Sequence, residues 1–248
     1  GTSRNGLYRY EDGRLTAVSA PGWLPGQWVE AIAEDGAGRL WFGTFGAGVS
    51  CLDGQRWTTF TSREGLASNS VGALLIDHTG SLWCGTEGHG VSRFDGARWT
   101  SLTARAGLAG DRVQAIAEDS RGVLWFGTEE GGVSRYDGHA FTSLTTADGL
   151  PSNRVVHILT EGDSLVWLST YGGGVARYDG TALQSLQQPD GLAHDAAQQV
   201  CRDRRGDYWI ATEGGLTRYR PRPETVVARV TAVEKNTAYT FAKITARP

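Results

Sequence analysis

From Val113 onward the chain reads VQAIAED, apolar and polar residues alternating one for one, which is the pattern of a half-buried β-strand. Asp119-Ser120-Arg121-Gly122 follows. Asp suits the start of a tight turn and Gly the position that needs positive φ. VLWFGT then supplies the β-branched and aromatic residues of a second strand. A Gly131-Gly132 link leads to VSRYD, Asp137-Gly138 makes a hairpin turn, and FTSLT forms a fourth strand. Nothing in the unit reads as a helix at 3.6-residue spacing, so the predicted class is all-β.

The same order recurs along the chain. Trp41, Trp83, Trp125, Trp167 and Trp209 stand 42 residues apart without drift. Repeats start at 1, 41, 83, 125, 167 and 209, the first lacking its two opening positions because Gly1-Thr2 fall where WFGT has Gly-Thr. Four short strands per such period predict a β-propeller blade. Inner strands are expected to begin near Val29, Val71, Val113, Val155 and Ala197.

About six periods fit in the chain, so residues 1–248 are expected to form one β-propeller domain of six blades. Residues 220–248 diverge from the repeat and carry two strand-like segments, VVARVTA and AYTFAKITA. A C-terminal strand from this tail is expected to join the N-terminal outer strands in one shared blade, which closes the ring and hides two sheet edges. The alternative is an open arc cut from a larger, seven-bladed ring, with the tail leading into a downstream domain.

Most repeated residues have scaffold roles in this reading. Each Trp fills the wedge between adjacent twisted sheets, and the paired glycines let the backbone pass close to its neighbour. Asp35, Asp77, Asp119, Glu161 and Asp203 share one position. It is the turn after the inner strand, and turn chemistry accounts for them better than a ring of cation ligands.

Composition narrows the function classes. A 40% hydrophobic fraction excludes wholesale disorder, and 24 basic against 27 acidic side chains leave no basic stripe for nucleic acid. No run approaches the roughly 18 apolar residues of a membrane-spanning helix. The absence of Met reads as a processed or excised segment. Cys51, Cys84 and Cys201 have neither zinc nor disulfide spacing and are expected to be small buried hydrophobes. GTEGHG lacks the Lys-Ser/Thr and helix of a phosphate loop.

Candidate binding residues follow from the strand order. The loops after Gly-Thr and those entering each inner strand emerge on one face, where side chains vary while the scaffold repeats. After Gly-Thr stand Ser3, Phe45, Glu87, Glu129, Tyr171 and Glu213, with Arg4, His89 and Glu130 nearby. The other loops carry Trp28, Asn69, Arg112, Asn153, Arg154, His194 and Asp195. Carboxylates, amides, guanidinium groups and rings suit a polyhydroxylated ligand through hydrogen bonds and stacking. They suit a protein partner or self-association equally.

Catalysis is less favoured. His78, His89, His139, His157 and His194 fall at five different repeat positions, and only His89 and His194 belong to the loop face. Glu87 with His89 offers a general base but no second acid, nucleophile or metal set. No catalytic residue, metal or cofactor is predicted.

The pattern LWxGTxxGGVSRYDG…FTSLTxxDGLPSNRV…IxEDxxGxL resembles the two-component regulator propeller repeat, closely over residues 41–166 and more loosely over 1–40 and 167–219. The resemblance implies a sensor segment on the extracytoplasmic or periplasmic side of bacterial histidine kinases, hybrid two-component proteins or diguanylate cyclases. It also implies an oligosaccharide as ligand; antibiotic-cleaving propeller lyases, whose WFT-type repeats look superficially similar, give the less favoured catalytic alternative. After Tyr219 the chain departs from the pattern, lacking the GLPSN loop and a following WxGT.

Overall fold

The computed structural model describes residues 7–18, 28–221, 229–235 and 240–245. Strands β1 (Tyr8–Glu11) and β2 (Arg14–Ala17) form a hairpin. Blade one then comprises β3 (Val29–Glu34), β4 (Leu40–Thr44), β5 (Gly48–Asp53) and β6 (Arg56–Phe60). Blade two is β7 (Val71–Ile76), β8 (Leu82–Thr86), β9 (Val91–Phe94) and β10 (Trp99–Leu102). Blade three is β11 (Val113–Glu118), β12 (Leu124–Thr128), β13 (Val133–Tyr136) and β14 (Phe141–Leu144). Blade four is β15 (Val155–Glu161), β16 (Leu165–Thr170), β17 (Gly174–Tyr178) and β18 (Leu183–Leu186).

Blade five has three described strands, β19 (Ala197–Arg202), β20 (Tyr208–Thr212) and β21 (Gly215–Tyr219). A last hairpin joins β22 (Arg229–Lys235) to β23 (Thr240–Thr245). Every sheet is antiparallel in chain order, and inner strand touches inner strand from β3 through β7, β11 and β15 to β19. That succession is a β-propeller, and the five inner strands start where the sequence places them.

Adjacent blades are held together by the repeated Trp. Trp41 packs with Val71, Leu82 and Cys84 of blade two, and Trp83 with Val113, Leu124 and Phe126 of blade three. Trp125 packs with Val155, Ile158 and Leu168, and Trp167 with Val200, Tyr208 and Ile210. Close passage of the backbone explains the glycine pair. A Cβ on Gly131 would stand 2.0 Å from the carbonyl oxygen of Ala109, and one on Gly132 would stand 2.2 Å from that of Leu144.

The turn carboxylate does more than cap its turn. Asp77 Oδ1 accepts from the amides of Thr79 and Ser81, and its Oδ2 accepts from Trp83 Nε1 at 2.8 Å. Asp35 holds Trp41 at 2.8 Å, Asp203 holds Trp209 at 3.0 Å, and Asp119 reaches Trp125 at 3.5 Å. Burial alone raises the Asp77 pKa, but hydrogen bonds from Thr79, Trp83 and the turn amides outweigh it and bring the carboxyl below its ordinary range. Blade four breaks the rule. Glu161 accepts instead from the Tyr208 hydroxyl of blade five, and Trp167 Nε1 is buried without a partner.

Among the described residues the tail strands pair with each other in a hairpin of their own. Two expectations need revision. Three one-turn 3-10 helices, Ala104–Ala106, Thr146–Asp148 and Gln188–Asp190, precede the Gly-Leu loops. Around the second, Thr145 and Asp148 form a reciprocal capping box and Gly149 ends the turn at φ 96°. Such turns are too short to show a period. Cys51 and Cys84 are buried as expected, whereas Cys201 is exposed, on a blade with no described neighbour against its second face. Gly1, Thr2, Ser3 and Arg4 lie outside the described residues.

Candidate ligand-binding face

One backbone contact organises this face. In each blade the amide of the residue after Gly-Thr, or its equivalent, donates to the carbonyl of the residue preceding the inner strand. The pairs are Phe45 to Trp28 at 3.1 Å, Glu87 to Ser70 at 3.1 Å, Glu129 to Arg112 at 3.0 Å, Tyr171 to Arg154 at 2.9 Å and Glu213 to Ala196 at 3.1 Å. Two positions far apart in each repeat are thereby brought side by side.

What their side chains do differs from blade to blade. In blade one the Trp28 and Phe45 rings meet at 5.4 Å with a 43° tilt and remain 41% and 52% exposed. From blade two onward the contacts are charged. Arg112 reaches back to Glu87 at 3.0 Å and pairs with Glu129 at 2.8 Å. Arg154 stands 3.5 Å from the other Glu129 oxygen and lies 4.3 Å above the Tyr171 ring centroid. The neighbouring Glu213 carboxylate raises the pKa of the Tyr171 phenol. Bonding to Glu87, with the charges of Glu87 and Glu129, raises that of Arg112. Glu87, Arg112, Glu129, Arg154, Tyr171 and Glu213 thus form one continuous line across four blades.

A cavity of about 320 Å³ opens where this line meets the aromatic pair. Its walls are Trp28, Glu30 and Phe45 of blade one, Gly72 and Glu87 of blade two, and Val113 and Gln114 of blade three. Blades one and three can share a wall only along the inner edge of the ring. The volume is within the range of small-molecule sites.

Glu30, Gly72 and Gln114 were not singled out from the sequence. All three occupy the second position of an inner strand, where the pairing with the next strand shifts by one residue in every blade. Such a bulge re-aims a side chain. The visible signal was the variation Glu30, Gly72, Gln114, Val156, Gln198 beside a constant Val or Ala.

Other predicted residues have local partners. The Asn69 side-chain oxygen accepts from the Ser62 amide at 2.8 Å, and that of Asn153 from the Thr146 amide at 2.8 Å. Asp111 and Asp195 do the same for Ala104 and Gln188. This position pins the loop, which accounts for both asparagines without a ligand. His194 Nδ1 accepts from the Ala196 amide at 2.9 Å, inside its loop. Exposed His89 donates from Nδ1 to the Glu87 carbonyl at 3.2 Å. Glu130 is exposed beside the charged line. His157 is half-buried in β15, and its desolvation there lowers its pKa. Among the described residues no group of three or more His, Cys, Asp and Glu is arranged to hold a metal. Nor is any helix among them long and apolar enough to cross a membrane.

The two-component regulator propeller pattern matches residues 24–46, 65–88 and 107–130. No curated protein matches the chain in sequence. Among solved structures the chain is similar to the extracellular domain described for a hybrid two-component system of B. thetaiotaomicron. The TM-score is 0.68 at 20% identity, over 80% of this chain and 30% of that one. It is similar to PorZ, a bacterial surface component of the type-IX secretion system of Porphyromonas gingivalis, with TM-score 0.70 at 20% identity over 88% and 36%. Virginiamycin B lyase from Staphylococcus aureus gives 0.58 at 17% identity over 79% and 71%. The chain thus spans about a third of the length of the first two. At these identities the likeness is one of fold: this chain is a β-propeller, three segments of which match the two-component regulator propeller repeat.

Proposed function

We propose that this propeller is the ligand-reading, non-catalytic part of an extracytoplasmic sensor, and that a saccharide or similar small polar ligand seats in the cavity beside Trp28 and Phe45. The cavity carries the reading. Two exposed rings offer a stacking platform, while Glu30, Glu87 and Gln114 offer hydrogen-bonding groups to hydroxyls. The repeats and the extracellular location of a structural neighbour support the sensor assignment. The lyase neighbour shares the fold. Nothing around His89 supplies the second acid or nucleophile that bond cleavage needs.

A thermal-shift titration with cellotriose, trigalacturonate and triglucosamine tests this. At about 100 times Kd a ligand adds about 2.7 kcal/mol of stability, read as a rise of several degrees. One of the three is expected to produce that rise in the chain, and Phe45→Ala to weaken it without lowering the melting temperature of the free protein. Silence from all three would favour a protein-interaction scaffold with no small ligand.

A further inference from the structure

Resting on that ligand-binding reading, we propose that the group seated in the cavity is a protonated amine on a sugar ring, so that the preferred ligand is an amino sugar rather than a neutral or acidic saccharide. The argument begins with the walls. Glu30 and Glu87 both border the hollow, and no Lys, Arg or His lines it. Glu87 is held by Arg112 at Oε2 and by Gln114 at Oε1. Glu30 makes no ion pair among the described residues. Two carboxylates beside one hollow repel an acidic ligand and favour a cation between them.

Comparison between blades sharpens this. At the position before the inner strand, blades three and four place Arg112 and Arg154, each within ion-pair distance of a glutamate. Blade two places Ser70 there and blade one Trp28, neither of them a cation. The charged line therefore ends at Glu87, and the next cation in the series has no side chain to provide it. A ligand amine in the cavity would take that place. Trp28 and Phe45 reinforce the choice, because the faces of aromatic rings attract a cation and stack on the apolar face of a sugar. Room is left by Gly72, where an added Cβ would meet nothing within 4 Å.

The test compares triglucosamine with tri-N-acetylglucosamine by calorimetric titration, below the pKa of the free amine. Triglucosamine is expected to bind at least about tenfold more tightly, a difference of about 1.4 kcal/mol. Glu30→Gln is expected to erase that preference with an unchanged melting temperature, since the side chain is exposed. Gly72→Phe fills the hollow and is expected to abolish binding of both.

Equal affinity for the two sugars, lost in Gly72→Phe, would overturn the amine proposal and leave the saccharide reading standing. Triglucosamine binding that survives Gly72→Phe would place the attraction elsewhere and overturn the proposal. Trilysine binding with the same dependence on Glu30 and Gly72, and no response to triglucosamine, would overturn the sugar part. No binding of either sugar would overturn the proposal, and only silence from cellotriose and trigalacturonate as well would sink the reading beneath it.

Discussion

Asp77 and Glu87 belong to one blade and sit at opposite ends of its second strand. Asp77 is buried, and its two oxygens serve turn amides, the Thr79 hydroxyl and the Trp83 indole. The same aspartate-to-indole contact recurs in four of the five blades. Glu87 is half-exposed and bonds Arg112 and Gln114 of the next blade. Its equivalents are Phe45, Glu129, Tyr171 and Glu213. At both ends the backbone contact repeats, but only at the turn end does the side chain repeat with it. Burial explains the difference: a buried carboxylate without donors is costly, so four of the five turn ends share one solution. The loop end meets water, where many side chains are tolerated and a surface can be made specific.

The contrast breaks most visibly at a Trp. Trp125→Ala is expected to cost about 3–5 kcal/mol, read in a denaturant titration, because it empties the wedge between blades three and four. A smaller effect separates two substitutions of similar volume. Trp83→Phe takes a donor from the buried Asp77 carboxylate, whereas Trp167→Phe removes an indole N–H that has no partner. The first is expected to be about 1–2 kcal/mol more destabilising than the second. Equal costs would show that the aspartate contact contributes little.

Acid provides a third probe of the turn end. Asp35, Asp77 and Asp203 are held below their ordinary pKa, and Asp207, between Arg220 and Arg218, is brought to about 2. Carboxyls depressed in the folded state contribute stability that is fully present above the unfolded pKa, about 3.9. That contribution is lost as pH falls through the folded values. A melting-temperature profile should therefore decline below about pH 4 on account of these groups. Arg112→Ala belongs at the small end. Its ion pairs are half-exposed and screened by solvent, so little change in stability is expected, with any larger change appearing in ligand binding.

The repeat made much of the fold legible. Val29, Val71, Val113, Val155 and Ala197 open their strands as the alternation indicates, and Trp41, Trp83, Trp125 and Trp167 pack into the following blade. The indole-to-aspartate bond was not legible because it joins two residues that also have complete local explanations, a turn former and a core aromatic. The line from Glu87 to Glu213 was legible only as a set of residue types, since its contacts run between blades. Asn69 and Asn153 look like surface amides in sequence and prove to be pins for their own loops. Glu30 and Gln114 were hidden by the strand bulge, which a strict alternation of two does not anticipate. The tail breaks the period at Tyr219, and with it went the means of predicting its pairing.

Gly72→Phe tests the central division most directly, with unfolding and triglucosamine titration measured on the same sample. An unchanged melting temperature, within about 1 °C, together with lost binding is the predicted result. A melting temperature lower by several degrees, or binding that persists, would contradict the separation of scaffold from binding face.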